Sequence, residues 1–169
     1  MNIALTGTPG TGKTSLASRL EHNIVSINNH YPEISNGKDE EGNWLIDLEK
    51  LNEVINVEKD SPTIFEGHVS HFLNNIEMTI VLRCNPKNLK ERLESRKYTE
   101  KKVKENMEAE ALNLITEEAI EICGEKNVFE LDTTTISIGE SVSKLEDIIN
   151  GNIKSDKRID YSETIMDWY

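Results

Sequence analysis

Apolar residues occur along this chain in two patterns, which alternate from one end to the other. Short continuous apolar runs predict five strands, at 2–6, 24–27, 63–65, 78–83 and 127–131. Apolar residues spaced three or four apart predict helices over 15–22, over 44–55, from Asn85 onward, from about Thr99 to Cys123 and over about 139–150. The polar stretch 28–43 predicts a loop or a mobile insert.

Strands that alternate with helices predict an α/β fold, with a parallel sheet covered by helices on both faces. The run at 78–83 is almost entirely apolar, as expected for a strand buried on both sides. Asn85 and Pro86 supply a capping side chain and a first-turn proline for the helix that follows. The chain has no internal repeat and no linker, so we expect one domain over 1–169 with a C-terminal tail at 152–169.

The segment GTPGTGKT at 7–14 matches the phosphate-binding pattern G-x-x-x-x-G-K-[ST] in full. Its glycines, with Thr11 among them, let the backbone curl so that N–H groups point at an anion, and the next helix adds its positive end. Lys13 can reach the β- and γ-phosphates, and the Thr14 hydroxyl is placed to bind Mg²⁺. The sequence therefore predicts a P-loop NTPase that binds ATP. The alternative is a glycine-rich turn with an incidental lysine.

A second acidic element is expected at the end of another strand, because P-loop proteins hold Mg²⁺ partly through a carboxylate there. Glu66 closes the third predicted strand and could bind Mg²⁺ through water or orient an attacking water. His68 could hydrogen-bond near the γ-phosphate or the acceptor. The alternatives are a solvated strand end for Glu66 and a structural role for His68. A structural or merely exposed role is favoured for His71 and His30.

Arg92 and Arg96 are two of only five arginines, and their spacing places them on one helix face. Lys97, Lys101 and Lys102 follow closely, so a basic segment stands out in an acidic chain. Arginines stabilise the charge of phosphoryl transfer, and this segment resembles a lid that closes over phosphates. The alternative is a solvated helix face with local ion pairs.

The composition limits the partners of this protein. Of its 169 residues 36% are hydrophobic and 30% charged, and 31 acidic against 19 basic side chains give a net charge of −12. That charge argues against general binding to DNA, RNA or an anionic membrane, and no apolar run is long enough to span a bilayer. The two cysteines, Cys84 and Cys123, are expected to be buried reduced thiols in a cytoplasmic protein.

Several motifs in fixed order give the chain a family resemblance. They are GTPGTGKT at the N-terminus, Glu-x-His after the third strand, VLRCNPKNLKERLESRKYTEKKVKENMEAE at 81–110, and an acidic last helix with a short tail. Over roughly residues 2–150 the chain resembles the adenylate kinase isoenzyme 6 family. The resemblance implies a nucleoside-monophosphate-kinase-like fold with strand order 2-3-1-4-5, a monophosphate-binding insert at 28–51 and a short lid at 96–106. It also implies adenylate kinase and ATPase activity, and a role in small ribosomal subunit maturation through contact with a ribosomal protein.

The same resemblance assigns roles to individual residues. ATP would be held by Gly10, Gly12, Lys13, Thr14 and Ser15, with the lid residue Arg96 on its phosphates. Glu66 stands where the family more often has aspartate, His68 matches the family histidine, and Arg92 would lie near the adenine or brace the lid. One departure concerns the insert 28–51, which has no arginine to hold an acceptor phosphate by its planar fork.

Three hypotheses for the function follow. The leading hypothesis is an enzyme that transfers the γ-phosphoryl group of Mg-ATP to AMP, or to water with Glu66 or His68 orienting the nucleophile. The second is an assembly factor whose ATP state switches binding to a basic ribosomal protein, which the net charge would favour. The third is a kinase of similar fold that acts on another small metabolite.

Overall fold

The computed structural model describes residues 1–153 and 158–168, and its centre is a sheet of five parallel strands. These strands are β1 (Ile3–Gly7), β2 (Ile24–Ser26), β5 (Ile64–Glu66), β6 (Met78–Arg83) and β7 (Val128–Asp132). Two further strands, β3 (Ser35–Lys38) and β4 (Trp44–Ile46), form a separate antiparallel pair. All five strands predicted from the apolar runs are therefore present in the sheet.

The central sheet has the order β2-β5-β1-β6-β7. When its five strands are numbered without the β3–β4 pair, this order is 2-3-1-4-5, as the resemblance implied. β1 lies in the middle, with Leu5 opposite Glu66 on one side and opposite Ile80 on the other. Each connection between parallel strands must cross over the sheet, and α-helices lie in these connections except between β5 and β6, where there is only a 3₁₀ turn at Ser70–Phe72.

Six helices lie around the sheet in the part of the chain that is described. They are α1 (Lys13–Ala17), α2 (Leu48–Val54), α3 (Pro86–Ser95), α4 (Glu100–Ala111), α5 (Leu114–Cys123) and α6 (Ile138–Ile149). Short 3₁₀ turns lie at Ile27–His30, Ser70–Phe72, Glu125–Asn127 and Ser162–Trp168.

The two faces of the sheet bury different sets of apolar side chains. Leu16 of α1 and Leu145 of α6 pack with Leu5 and Leu82 on one face. Ala119 of α5 packs with Val81 on the other face. Because side chains alternate across a strand, neighbours such as Val81 and Leu82 enter opposite layers. Helices thus cover both faces, as the sequence predicted.

Capping side chains explain where several helices begin. Asn85 accepts a hydrogen bond from the amide of Lys87 at the start of α3, and Pro86 occupies the first helical position. Thr99 and Ser137 cap α4 and α6 in the same way. These contacts satisfy amides that have no partner inside the helix.

The stretch 28–43, predicted as a loop or a mobile insert, contains regular structure, and the helix predicted over 44–55 begins later. Ser35–Lys38 pairs with Trp44–Ile46 as an antiparallel hairpin. Asp47 then caps α2 by accepting from the amides of Glu49 and Lys50, so the helix starts at Leu48. The hairpin escaped prediction because its first strand has the polar sequence SNGK, without apolar alternation.

The single helix predicted from Thr99 to Cys123 is wrong, because the chain breaks between α4 and α5. Asn113 adopts a left-handed conformation, with a φ of 56°. Asparagine tolerates this conformation better than most residues, and its side-chain oxygen accepts a hydrogen bond from Arg83 at 2.7 Å. The first helix is also shorter than its pattern, since α1 ends at Ala17.

We expect Leu145→Ala to lower the free energy of unfolding by about 2–5 kcal/mol, because it removes a fully buried side chain and leaves a cavity. Leu114→Ala is the matched control, since Leu114 is another helical leucine but is 47% exposed. Urea unfolding of both variants measures the difference. Equal losses would contradict the packing of α6 against the sheet.

Candidate active site

The predicted site residues meet where the parallel strands end. β1 ends at Gly7, β5 at Glu66 and β6 at Arg83, so residues distant in sequence meet at one edge of the sheet. In open α/β sheets this edge is where ligands bind. The phosphate loop leaves β1 here, and the loop after β7 reaches the same place.

The phosphate loop is held by its own hydrogen bonds and by close packing. The Thr11 hydroxyl donates to the Thr8 carbonyl at 2.7 Å. Lys13 Nζ donates to the carbonyls of Gly7 and Thr8, at 2.7 and 3.1 Å. A Cβ on Gly7 would come within 2.6 Å of the Leu82 carbonyl oxygen, and the φ of +146° there is unfavourable for other residues. The loop therefore requires glycine where it leaves β1.

The charge of Lys13 depends on what surrounds its ammonium. Burial lowers the pKa of Lys13 to about 8, and the positive charge of Arg96 acts in the same direction. The carboxylates of Glu66 and Glu110 oppose this shift. Without a phosphate nearby, a substantial fraction of Lys13 is therefore neutral at mildly alkaline pH. An anionic ligand would favour the charged form.

Glu66 is almost completely buried, with 2% of its surface exposed. The Ser26 hydroxyl donates to its Oε1 at 2.6 Å. Its buried Oε2 has no hydrogen-bond partner among the described residues. Burying a carboxylate oxygen without a partner is costly, so the arrangement indicates a group that a ligand, ion or water satisfies.

His68 and His71 differ in their surroundings. His68 Nδ1 lies 2.8 Å from the Tyr31 hydroxyl, and burial, together with Lys13 and His71, lowers the pKa of His68 to about 4. His68 is therefore neutral at pH 7. His71 is fully buried between the Thr6 hydroxyl and Glu118, at 2.9 and 3.0 Å.

Arg92 and Arg96 both line one open cleft beside the phosphate loop. The cleft is bounded by Gly10, Thr11, Gly12, Ser15, Leu16, Arg92, Arg96, Thr133, Ile136, Ile138 and Ser141. Arg92 donates to the Gly10 carbonyl at 3.3 Å and to the Thr133 carbonyl at 2.7 Å, so it ties the phosphate loop to the loop after β7. Arg96 is exposed at the end of α3.

The predicted insert and the predicted lid touch one another. Glu41, beyond the hairpin strand β3, forms an ion pair with Lys101 in the first turn of α4. The two lysines of the insert are engaged within the insert itself. Lys50 donates to Asn36 at 2.8 Å, and Lys38 lies 4.4 Å from the ring centre of Trp44.

Sequence reasoning missed two parts of this region. One is the cleft wall formed by Thr133, Ile136 and Ile138, which no short motif marks. The other is Glu110, whose buried carboxylate accepts a hydrogen bond from the Thr8 hydroxyl at 2.7 Å and forms an ion pair with Arg83. The available sequence signal for Glu110 was Arg83. An arginine at the end of an apolar strand, in a chain with few arginines, needs a buried acidic partner.

The donors present suit Mg²⁺ held jointly with a nucleotide. Within residues 1–153 and 158–168, no group of three or more histidine, cysteine or acidic side chains could form a metal site by itself. Mg²⁺ commonly takes only one or two protein ligands beside substrate phosphates and water. The exposed Thr14 and the unpartnered Glu66 oxygen fit that pattern.

The described helices are all too short or too polar to cross a membrane.

Comparisons with known proteins agree with this architecture. A family model described as an AAA domain matches residues 3–113. Among solved structures, a shikimate kinase from Acinetobacter baumannii in complex with shikimate has a TM-score of 0.61 at 16% identity, covering 89% of this chain and 93% of its own. A deoxyadenosine kinase from M. mycoides has a TM-score of 0.51 at 17% identity, covering 89% of this chain and all (100%) of its own. With the phosphate loop after β1, this fold is that of the P-loop kinases.

Sequence relatives narrow the class to a family. A "Putative adenylate kinase" from Archaeoglobus fulgidus is 42% identical over 99% of this chain and 92% of its own length. Proteins of the same name from Methanocaldococcus jannaschii and Thermococcus kodakarensis are each 38% identical over 99% of this chain, covering 97% and 93% of their own lengths. The chain belongs to this family of archaeal adenylate kinase-like proteins.

We expect ATP binding at pH 8.5–9 to take up a proton, because nearby phosphates favour the charged form of Lys13. Since the pKa of Lys13 is about 8 in the free protein, the uptake should grow as the pH rises through 8 and vanish near pH 6.5. Calorimetric titration in two buffers of different ionisation enthalpy measures it. The control Lys13→Arg stays charged throughout and should show no uptake. Equal uptake by both proteins would contradict the assignment to Lys13.

Proposed function

We propose that this protein transfers the γ-phosphoryl group of Mg-ATP to AMP, with slower transfer to water. The observation that carries the proposal is the meeting of Lys13 and the unpartnered Glu66 oxygen at one sheet edge, beside a cleft lined by Arg92 and Arg96. The names of the archaeal relatives support adenylate kinase activity over other kinase activities. A cytoplasmic location is part of the proposal, consistent with two free cysteines.

The binding roles follow from the site. The amides of Gly10, Thr11 and Gly12, with Ser15 in the first turn of α1, would surround the phosphates of ATP, and Lys13 would contact the β- and γ-phosphates. The adenine base of ATP would occupy the cleft between Arg92 and Ile136. Thr14 and Glu66 would hold Mg²⁺, Glu66 through water, and the ion would neutralise phosphate charge.

The chemical step needs positioning more than proton transfer, because the attacking oxygen of AMP is already anionic. Arg96 is exposed at the cleft and can move onto the transferred group when the segment 96–106 closes. His68, neutral and hydrogen-bonded to Tyr31, can contact the acceptor without adding charge. With water as acceptor, Glu66 or His68 would orient the nucleophile.

A specific observation favours a second candidate function, an ATPase that switches the binding of a basic ribosomal protein during small-subunit maturation. The insert 28–51 has no arginine, and its lysines, Lys38 and Lys50, contact Trp44, Asn36 and the Ser35 carbonyl. Few cations therefore remain there for an acceptor phosphate. The net charge of −12 would favour a cationic partner.

An acceptor screen distinguishes the two functions. With Mg-ATP, we expect AMP to give ADP at least about tenfold faster than water alone, because a bound monophosphate is a positioned nucleophile. CMP and UMP are the matched acceptors, and Lys13→Ala is the inactive control. Equal rates with and without AMP would refute the kinase and favour the ATPase. Pull-down of basic ribosomal proteins, with and without ATP, would then test the switch.

We expect Arg96→Ala to lower the turnover number by about tenfold or more while the protein stays folded, because a lid arginine stabilises charge on the transferred group. Arg19→Ala is the matched control, since Arg19 is also exposed but does not line the cleft. Steady-state kinetics and thermal unfolding measure the two effects. Unchanged turnover in Arg96→Ala would remove Arg96 from the mechanism.

A further inference from the structure

Arg83 is a buried arginine at the end of β6, with 1% of its surface exposed. Its guanidinium uses all five of its donors. They go to Glu110 Oε1 at 2.6 Å, the Glu110 carbonyl at 3.0 Å, Asn113 Oδ1 at 2.7 Å, the Ile159 carbonyl at 3.2 Å and the carboxylate of Glu130. This cluster is outside the nucleotide cleft, and none of the proposed chemistry uses it.

Glu110 connects the cluster to the phosphate loop. Its Oε1 accepts from Arg83 and from the Cys84 amide, and its Oε2 accepts from the Thr8 hydroxyl at 2.7 Å. The carbonyl of Thr8 in turn accepts from Thr11 and from Lys13. The side chain of Thr8 is thus fixed by Glu110, while the Thr8 carbonyl accepts the hydrogen bonds that hold the loop together.

The C-terminal segment, residues 158–168, closes the other side of the cluster. The Ile159 amide donates to Glu130 Oε2 at 2.8 Å, and its carbonyl accepts from Arg83. The Tyr161 ring lies over Arg83, 5.2 Å from the guanidinium carbon. Trp168 then packs on an apolar cluster of α3 and α4. The segment therefore covers the ion pair between Arg83 and Glu110, and Glu110 also contacts the phosphate loop at Thr8.

Stability alone is a weak reason for such an arrangement. Burying an arginine with two carboxylates carries a large desolvation cost, and well-packed apolar residues often stabilise a core as well or better. Buried polar groups with a complete set of partners do, however, fix one geometry. Here the geometry that is fixed is that of Thr8, inside the loop that must match a triphosphate.

We propose that Glu110 is a positioning residue for the phosphate loop, acting through the Thr8 hydroxyl, and that Arg83 and the C-terminal segment 158–168 hold Glu110 in place. This inference rests on the proposed binding of ATP at the loop. When the segment leaves Arg83, Glu110 loses its fixed position, the loop loses order and the affinity for ATP falls. The segment thus acts on the site without touching the nucleotide.

The central experiment changes only the Thr8 hydroxyl. Thr8→Val keeps the branched shape and removes the donor, and we expect it to weaken binding of the ATP analogue AMP-PNP with Mg²⁺ by about tenfold. Thr8→Ser keeps the donor and should recover most of the affinity. Calorimetry is done well below the melting temperature of each variant, so that lost stability alone would not change the result. Equal dissociation constants for Thr8→Val and the natural protein, or equal losses in Thr8→Ser and Thr8→Val, would overturn the proposal.

A second variant pair tests the segment and serves if Thr8→Val does not fold. Tyr161→Leu removes the ring over Arg83 and should weaken binding by about threefold, whereas Tyr161→Phe keeps the ring and is the control. In the Thr8→Val background, Tyr161→Leu should cause no further loss, because both act through Glu110. Equal affinities of the two Tyr161 variants, or losses that add in the double variant, would overturn the role of the segment. Failure of the natural protein to bind the analogue would instead refute the proposed function.

Discussion

The parallel direction of the five central strands is the constraint on which this site depends. Because the strands run the same way, Gly7, Glu66 and Arg83 reach one edge although they are far apart in sequence. Two of these strand ends carry buried charges, which require partners. Ser26 meets one oxygen of Glu66, and Glu110 meets Arg83. The other oxygen of Glu66 has no hydrogen-bond partner among the described residues, so a ligand or water would supply that partner.

Charge is distributed in a way that suits one small anionic ligand. The chain carries a net charge of −12, yet Lys13, Arg92 and Arg96 lie around the phosphate loop and its cleft. Arg83 is neutralised by two carboxylates and makes no contribution to an exposed basic surface. The positive charge is therefore concentrated at one small site. This suits a bound triphosphate, whereas an extended nucleic acid needs a basic surface along its length.

Much of the fold was predictable because short-range patterns carry it. Apolar runs located the five central strands, and Asn85 with Pro86 located the start of α3. The break at Asn113 was not predictable, because the helical pattern of apolar residues continues through it. The contact that stabilises the break is a hydrogen bond from Arg83, which belongs to β6 and is distant in sequence. The hairpin at Ser35–Lys38 was missed for a related reason, because its polar strand gains its partner only across the turn.

The phosphate loop could be identified without any structure, since the spacing of its glycines and Lys13 is a local property of the chain. The sequence also predicted that Glu66 ends a strand. Three features of the site depend on packing between distant parts of the chain. One oxygen of Glu66 is buried without a partner among residues 1–153 and 158–168, Arg92 ties Gly10 to Thr133, and Glu110 bonds to Thr8. The physical reason is that a hydrogen bond between distant residues depends on packing, and no local pattern records which buried groups will meet.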